Sequence, residues 1–235
     1  MSTHEGHRDR MRERFRDNGG AGFQKHELVE MLLYSAYPRR DTNEMAHRVL
    51  EQFGGSLTKL IHTDPETISK MCGISINAAT LFSLIGEINR RAAIEKWDEK
   101  VILSSTATVG EFAISYLEGL NIEKVYVICL NASLALIKCV EAAVGTSDSA
   151  LIEVRKVVGI AISNNASSII LMHNHPSGGR RPSYEDIKFT SDCLDALSAI
   201  KIDLADHIIV ADGEYFSFKA EGVLPVKKER IGNVR

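Results

Sequence analysis

Residues 167–187 read SSIILMHNHPSGGRRPSYEDI. An apolar run of strand length stops at two histidines separated by one asparagine, and a Pro/Gly/Arg turn follows. In an extended chain, side chains at i and i+2 share a face. His173 and His175 therefore project together, and Asn174 faces the other way. Pro176, Gly178 and Gly179 turn the chain. PSYEDI then carries the signature of a helix start, with Ser183 as cap and Asp186 in the first turn. A strand, a turn and a helix in that order bring Asp186 back toward the strand end. Two neutral imidazoles and a carboxylate suit a catalytic Zn²⁺, with the fourth tetrahedral position left open. Taken singly, each feature has a plainer reading. Ser183 and Asp186 would be a cap with a carboxylate complementing the helix dipole, and one strand-end histidine would be a satisfied structural group. It is their conjunction in one strand–loop–helix unit that points to a metal site.

Working outward, the chain changes character near its middle. Up to Trp97 apolar residues recur at helical spacing: Met45, Ala46, Val49, Leu50 and Phe53 share a face in DTNEMAHRVLEQFGG. Asp41 or Thr42 caps that helix and Gly54-Gly55 ends it, while Asp64-Pro65 opens the next. From Val101 onward the runs VYVICL, LALIKCV, SSIILM and IIV read as strands, with helices near residues 150–164 and 184–199 between them. Strands alternating with helices imply a sheet covered by helices. The expected organisation is a helical domain over residues 1–97 and an α/β domain over 101–235, joined at the polar segment EKWDEKVILSST.

Composition narrows the function classes. With 235 residues and 44% hydrophobic content the chain can build a core, which excludes wholesale disorder. No apolar run is long enough to span a bilayer, and the charged start MSTHEGHRDRMRERFRD is no signal peptide. A cytoplasmic protein is expected. The net charge of −3 argues against a protein that coats nucleic acid. Cys72, Cys129, Cys139 and Cys193 form no C-x-x-C pair and read as reduced core residues.

HNHPSGGRRPSYED fits H-x-H-x(7)-S-x-x-D, and in this it resembles the JAMM motif of JAB/MPN metalloproteases. The form HNHPSG…PS is similar to the bacterial RadC branch. GHRDRMRERF, HELVEMLLYSAYPRRDTNEMAHRVLEQFG and ADHIIV also resemble RadC, so the likeness covers nearly the whole chain. It implies an MPN fold, a mixed sheet with flanking helices related to cytidine deaminases. It further implies a zinc-dependent hydrolase of peptide or isopeptide bonds with a link to DNA repair. The ligands would be His173, His175 and Asp186, and Ser183 would stabilise an oxyanion. The base would be Glu123, since EKVYVICLN matches the family's glutamate-led strand; the residues alone leave Glu118, Glu141 and Glu153 open. Two positions depart from the family. Val154-Arg155-Lys156 stands where RadC proteins carry Pro-Arg-Glu, and Gly73-Ile74-Ser75 lacks the second glycine of the helix-hairpin-helix that ISKMCGISINAATLFSLI resembles.

Three further readings complete the picture. His207 in ADHIIV is expected to make a structural hydrogen bond, not to act as a third imidazole ligand. Arg8, Arg12 and Arg16 alternate with Asp9, Glu13 and Asp17, which reads as a salt-bridged solvent face. The resemblance makes DNA a partner of the N-terminal domain through the hairpin, beside a peptide or protein substrate for the C-terminal one. The rival to the hydrolase is a non-enzymatic DNA-associated accessory factor with a metal-stabilised JAB module.

Overall fold

The computed structural model describes residues 3–97, 100–144, 153–176 and 178–226. Six helices come first: α1 (Thr3–Asn18), α2 (Lys25–Ala36), α3 (Asn43–Gln52), α4 (Leu57–Ile61), α5 (Pro65–Cys72) and α6 (Ile76–Ile94). Then follow α7 (Thr106–Leu117), β1 (Lys124–Leu130), β2 (Leu136–Val144), α8 (Val154–Ser163), β3 (Ser168–Asn174), α9 (Tyr184–Ala199), β4 (Asp203–Ala211) and β5 (Glu214–Ser217). The chain divides into two compact units, Met1–Asn89 and Arg90–Arg235, with the division inside α6. Among the described residues, no helix is long and apolar enough to cross a membrane.

The first unit closes over Val29, Leu33, Ala46, Val49, Leu60, Ile68 and Phe82. Its joints follow the local rules. Asp64 caps α5 by accepting from Thr67 N–H at 2.8 Å, and Gly73, at φ 64°, ends it. Between α5 and α6, the Ser75 N–H donates to the Tyr37 hydroxyl at 2.6 Å, so this hairpin amide already has a protein partner. Arg8 corrects the reading of α1 as a uniformly solvated face. It is buried, and its guanidinium donates to the carbonyls of Tyr37, Pro38 and Arg40 just past the end of α2. The planar fork gathers three backbone carbonyls of the connection that follows α2. Arg12 does pair at the surface, with Asp9 at 3.2 Å.

The second unit is a five-stranded sheet in the order β2-β1-β3-β4-β5. All neighbours are antiparallel except β3 and β4, whose parallel pairing needs the crossover that α9 supplies. Alternation along β3 sorts the two faces. Ile169 and Leu171 pack with Val157 and Ala161 of α8 and with Cys193 and Leu197 of α9. Ile170 and Met172 pack with Val109, Phe112, Ala113 and Leu117 of α7. Gly110 permits close approach of α7 to the sheet, since a Cβ there would collide with the Tyr215 ring. All seven residues of β3 are buried. A mixed sheet with flanking helices thus follows a helical N-terminal region along the chain. The cysteines are free, and burial raises the Cys129 thiol to about 11 and Cys193 to about 12.

Three elements differ from expectation. Strand β5 is additional: EYFS is only four residues long and follows its partner through the tight Asp212-Gly213 turn, too short a run to stand out by alternation. Helix α7 is additional too, because its apolar residues carry little periodicity and the Ser105 cap is its only clear mark. Strand β4 extends well beyond IIV, since its early residues are polar. The expected helix over residues 150–164 is α8, with residues 150–152 outside the described ones.

Candidate metal centre

The alternation that sorts the core also places the site. His173 continues the series Ile169, Leu171 onto the α9 face, at the carboxyl end of β3, where open α/β sheets present their ligand crevices. His175 follows, its N–H still donated to Val210 O of β4 at 2.9 Å. Gly178 and Gly179, at φ 82° and 89°, adopt a left-handed turn that side-chain-bearing residues rarely enter. That turn returns the Gly179 carbonyl to within 2.8 Å of His175 Nδ1. Ser183 then caps α9. Its Oγ accepts from Asp186 N–H at 3.1 Å, and its own N–H donates to Asp186 Oδ2 at 2.7 Å.

The three donor groups converge. His173 Nε2 and His175 Nε2 are 2.9 Å apart, Asp186 Oδ1 is 3.2 Å from the first, and Asp186 Oδ2 is 3.5 Å from the second. One atom from each lies within 4.8 Å of the others, and no other such group occurs among the described residues. Ligands about 2.05 Å from a tetrahedral Zn²⁺ sit roughly 3.3 Å from each other. The observed separations bracket that value, so these residues fit the ion.

Hydrogen bonds on the far side of each ligand decide which nitrogen is bare. His175 Nδ1 can only donate to the Gly179 carbonyl, which leaves Nε2 as its lone-pair nitrogen. For His173 the decision comes from further away. Thr190 Oγ donates to Asp186 O at 2.5 Å, as a helical i−4 bond, and so accepts from His207 Nδ1–H at 2.7 Å. His207 Nε2 then accepts from His173 Nδ1–H at 2.9 Å, and His173 Nε2 faces the site bare. His207 is thus a hydrogen-bonding residue behind His173, outside the cluster of donors.

Burial drives His207 well below the usual imidazole value, so it stays neutral as the relay requires. Burial opposes ionisation of Asp186, but when the imidazoles also carry a proton on Nε2, their hydrogen bonds to the carboxylate and the charge on His173 outweigh it, holding the carboxyl far below its ordinary range. His175 is raised, first by its bond to Asp186 against the pull of burial, then by Gly179 and by the charges of Asp186 and Glu123. Exposure is uneven: the His173 side chain is 3% exposed, against 18% for His175 and 16% for Asp186. Approach to the cluster is therefore over His175 and Asp186.

The other expected residues fall as follows. Glu123 immediately precedes β1 and is exposed. The antiparallel β1–β3 ladder ends at Val125 opposite His173, two residues past Glu123, and the Glu123 charge bears on His175. Glu141 is engaged on β2, with Lys124 at 2.8 Å and Tyr126 at 3.0 Å; Glu153 pairs with Arg155 at the start of α8. The bond from Lys124 is the main cause that lowers Glu141, against burial, and the Lys156 charge adds a smaller contribution. The Ser183 hydroxyl is 2.7 Å from Asp186 Oδ2, so its hydrogen is directed at the carboxylate.

Residues 103–223 match the family described as RadC-like JAB domain. The chain belongs to that family. Its relatives include a UPF0758 protein of Fusobacterium nucleatum, 35% identical over 227 residues, 94% of this chain and 97% of that one. A UPF0758 protein of Clostridium acetobutylicum is 33% identical over 92% of this chain and 94% of its own length. One from Neisseria meningitidis is 32% identical over 92% and 96%. The likeness of this RadC-family chain therefore takes in both units. Thr190 and Asn174 escape sequence reasoning as parts of the site. Thr190 lies one helical turn past Asp186, a spacing that marks it as a neighbour but not as a link to β4.

Proposed function

We propose that this RadC-family chain is a zinc-dependent hydrolase of amide bonds, in peptide or isopeptide linkage, acting at the cluster of His173, His175 and Asp186. The observation that carries the reading is the convergence of two imidazole nitrogens and the two oxygens of one carboxylate at contacts of 2.9–3.5 Å, about the mutual spacing of tetrahedral ligands. Two nitrogens and one oxygen suit zinc and leave a fourth position for chemistry. When bound, the ion would supply Lewis acidity, making a water acidic near neutral pH and polarising a carbonyl.

The protein's own groups do the rest. Glu123, whose charge bears on His175, takes the proton from water and passes it to the leaving nitrogen. The Ser183 hydroxyl turns its hydrogen from Asp186 Oδ2 to the oxyanion that develops on the substrate, exchanging one charge-assisted bond for another while its oxygen keeps the capping bond from Asp186 N–H. His207 and Gly179 hold both imidazoles in the tautomer that offers Nε2.

The test joins metal analysis to turnover. Wild-type protein takes up one Zn²⁺ per chain and His173→Ala takes up none above background. Glu123→Gln keeps the metal and loses about 10²–10⁴-fold in cleavage of a peptide library. Retained cleavage in Glu123→Gln would remove that residue from its assigned role.

A further inference from the structure

Asn174 lies between the two histidines and belongs to neither the ligand set nor the base. It is nevertheless 3% exposed and fully engaged. By alternation it faces the α7 side of β3, where the segment between α7 and β1 passes. Its amide makes three hydrogen bonds, all to that segment and the first residue of β1. Nδ2 donates to Leu120 O at 3.0 Å and to Ile122 O at 3.1 Å, and Oδ1 accepts from Lys124 N–H at 2.8 Å.

These three bonds bracket Glu123. Leu120, Ile122 and Lys124 are alternate residues, so one planar amide fastens the chain on both sides of the glutamate without touching it. Glu123 precedes the first residue of β1 and is exposed, so the sheet ladder does not clamp it directly. Asparagine suits this tether because it offers two donors and an acceptor in one plane on a short stem, whereas aspartate cannot donate and serine cannot span three partners. The same strand residue thus has the ligand histidines on either side of it and the segment bearing Glu123 beneath its amide.

We propose that Asn174 is a positioning residue that sets Glu123 over the metal site, tying the base to the strand that carries the ligands. The inference rests on the assignment of Glu123 as base under the proposed function. A displacement of about 1 Å at a reacting group costs on the order of 10²-fold in rate, which is the scale on which such a tether acts.

The test uses the full chain loaded with Co²⁺, whose visible spectrum follows proton loss from the coordination sphere as pH changes, with Glu123→Gln as reference. Asn174→Ala is expected to bind one Co²⁺ per chain and to move the spectral pH midpoint in the same direction as Glu123→Gln. The double variant moves it no further than Glu123→Gln alone, because both changes remove the same contact. Amide hydrogen exchange at residues 120–124 accelerates while residues 168–173 keep their protection. Asn174→Leu, close to asparagine in shape and without polar atoms, is expected to match and serves where the alanine variant misfolds. A wild-type midpoint in both Asn174 variants, beside a shifted Glu123→Gln, overturns the positioning role and leaves the hydrolase reading intact. A Glu123→Gln midpoint equal to that of wild type removes the base assignment, and this inference with it.

Discussion

Replacing His207 with phenylalanine isolates the relay behind His173. Phe fills the same slot and keeps the ring stacked on Phe218, which lies 4.7 Å away at 19° in the native protein. What it removes is one acceptor, for His173 Nδ1–H at 2.9 Å, and one donor, to Thr190 Oγ at 2.7 Å. Two buried neutral hydrogen bonds at about 1 kcal/mol each amount to roughly 2 kcal/mol of stability in the metal-free protein. The larger consequence is for the metal. Without His207 nothing fixes the His173 tautomer, and a population with the proton on Nε2 must be converted before the ring can ligate. Loss of such a support costs about 10–100-fold in metal affinity, or roughly 1.4–2.7 kcal/mol. Competition against a chromophoric zinc chelator at fixed pH measures it, and urea unfolding of the stripped protein measures the stability change. A His207→Phe protein that unfolds more easily yet binds zinc within about twofold of wild type would refute the tautomer argument, leaving His207 as packing.

Ser183→Ala removes the α9 cap and both contacts from its hydroxyl, so urea unfolding should register a loss of about 1 kcal/mol. Zinc affinity should fall with it, because Asp186 keeps only the Ser183 N–H of the capping box. In the metal-free protein the raised His175 contributes stability that is complete below its unfolded value of about 6.5 and is lost as pH rises through the folded one. Asp186, lowered, contributes stability that is present above its unfolded value of about 3.9 and is lost as pH falls through the folded one. Zinc must displace the proton on His175, so apparent affinity should rise with pH over the same interval in which the metal-free pair weakens. Calorimetry in buffers of different ionisation heat should show protons released on binding. Arg8→Lys should destabilise the first unit by on the order of 2–3 kcal/mol in hydrogen-exchange protection, since an ammonium cannot reach three carbonyls as the fork does.

What can be read in the sequence follows from how local the cause is. The convergence of His173, His175 and Asp186 is legible because all three fall between residues 173 and 186, and period-2 alternation plus one helix cap suffices to bring them together. The α5 cap at Asp64 and the Gly54-Gly55 stop are legible for the same reason. Arg8 is misjudged from sequence because helical periodicity reports only which residues share a face; the carbonyls it serves are some thirty residues away. Asn174 is correctly turned away from the histidines by alternation, but its three partners lie about fifty residues upstream and are backbone groups, which leave no mark in composition. Thr190 reads as an ordinary helix-face residue until β4 is seen to set His207 against it.

The contacts behind the ligands bear on how portable the motif is. Residues 173–186 hold every atom of the proposed ligand set, yet the His173 tautomer depends on a histidine in a neighbouring strand, and Asn174 anchors a segment before the first strand of the sheet domain. A graft of residues 173–186 onto another strand–loop–helix would carry over the coordination geometry and lose that proton assignment. Such a chimera should load metal weakly and turn over nothing, which makes matching the short pattern alone a poor guide to competent sites in other chains.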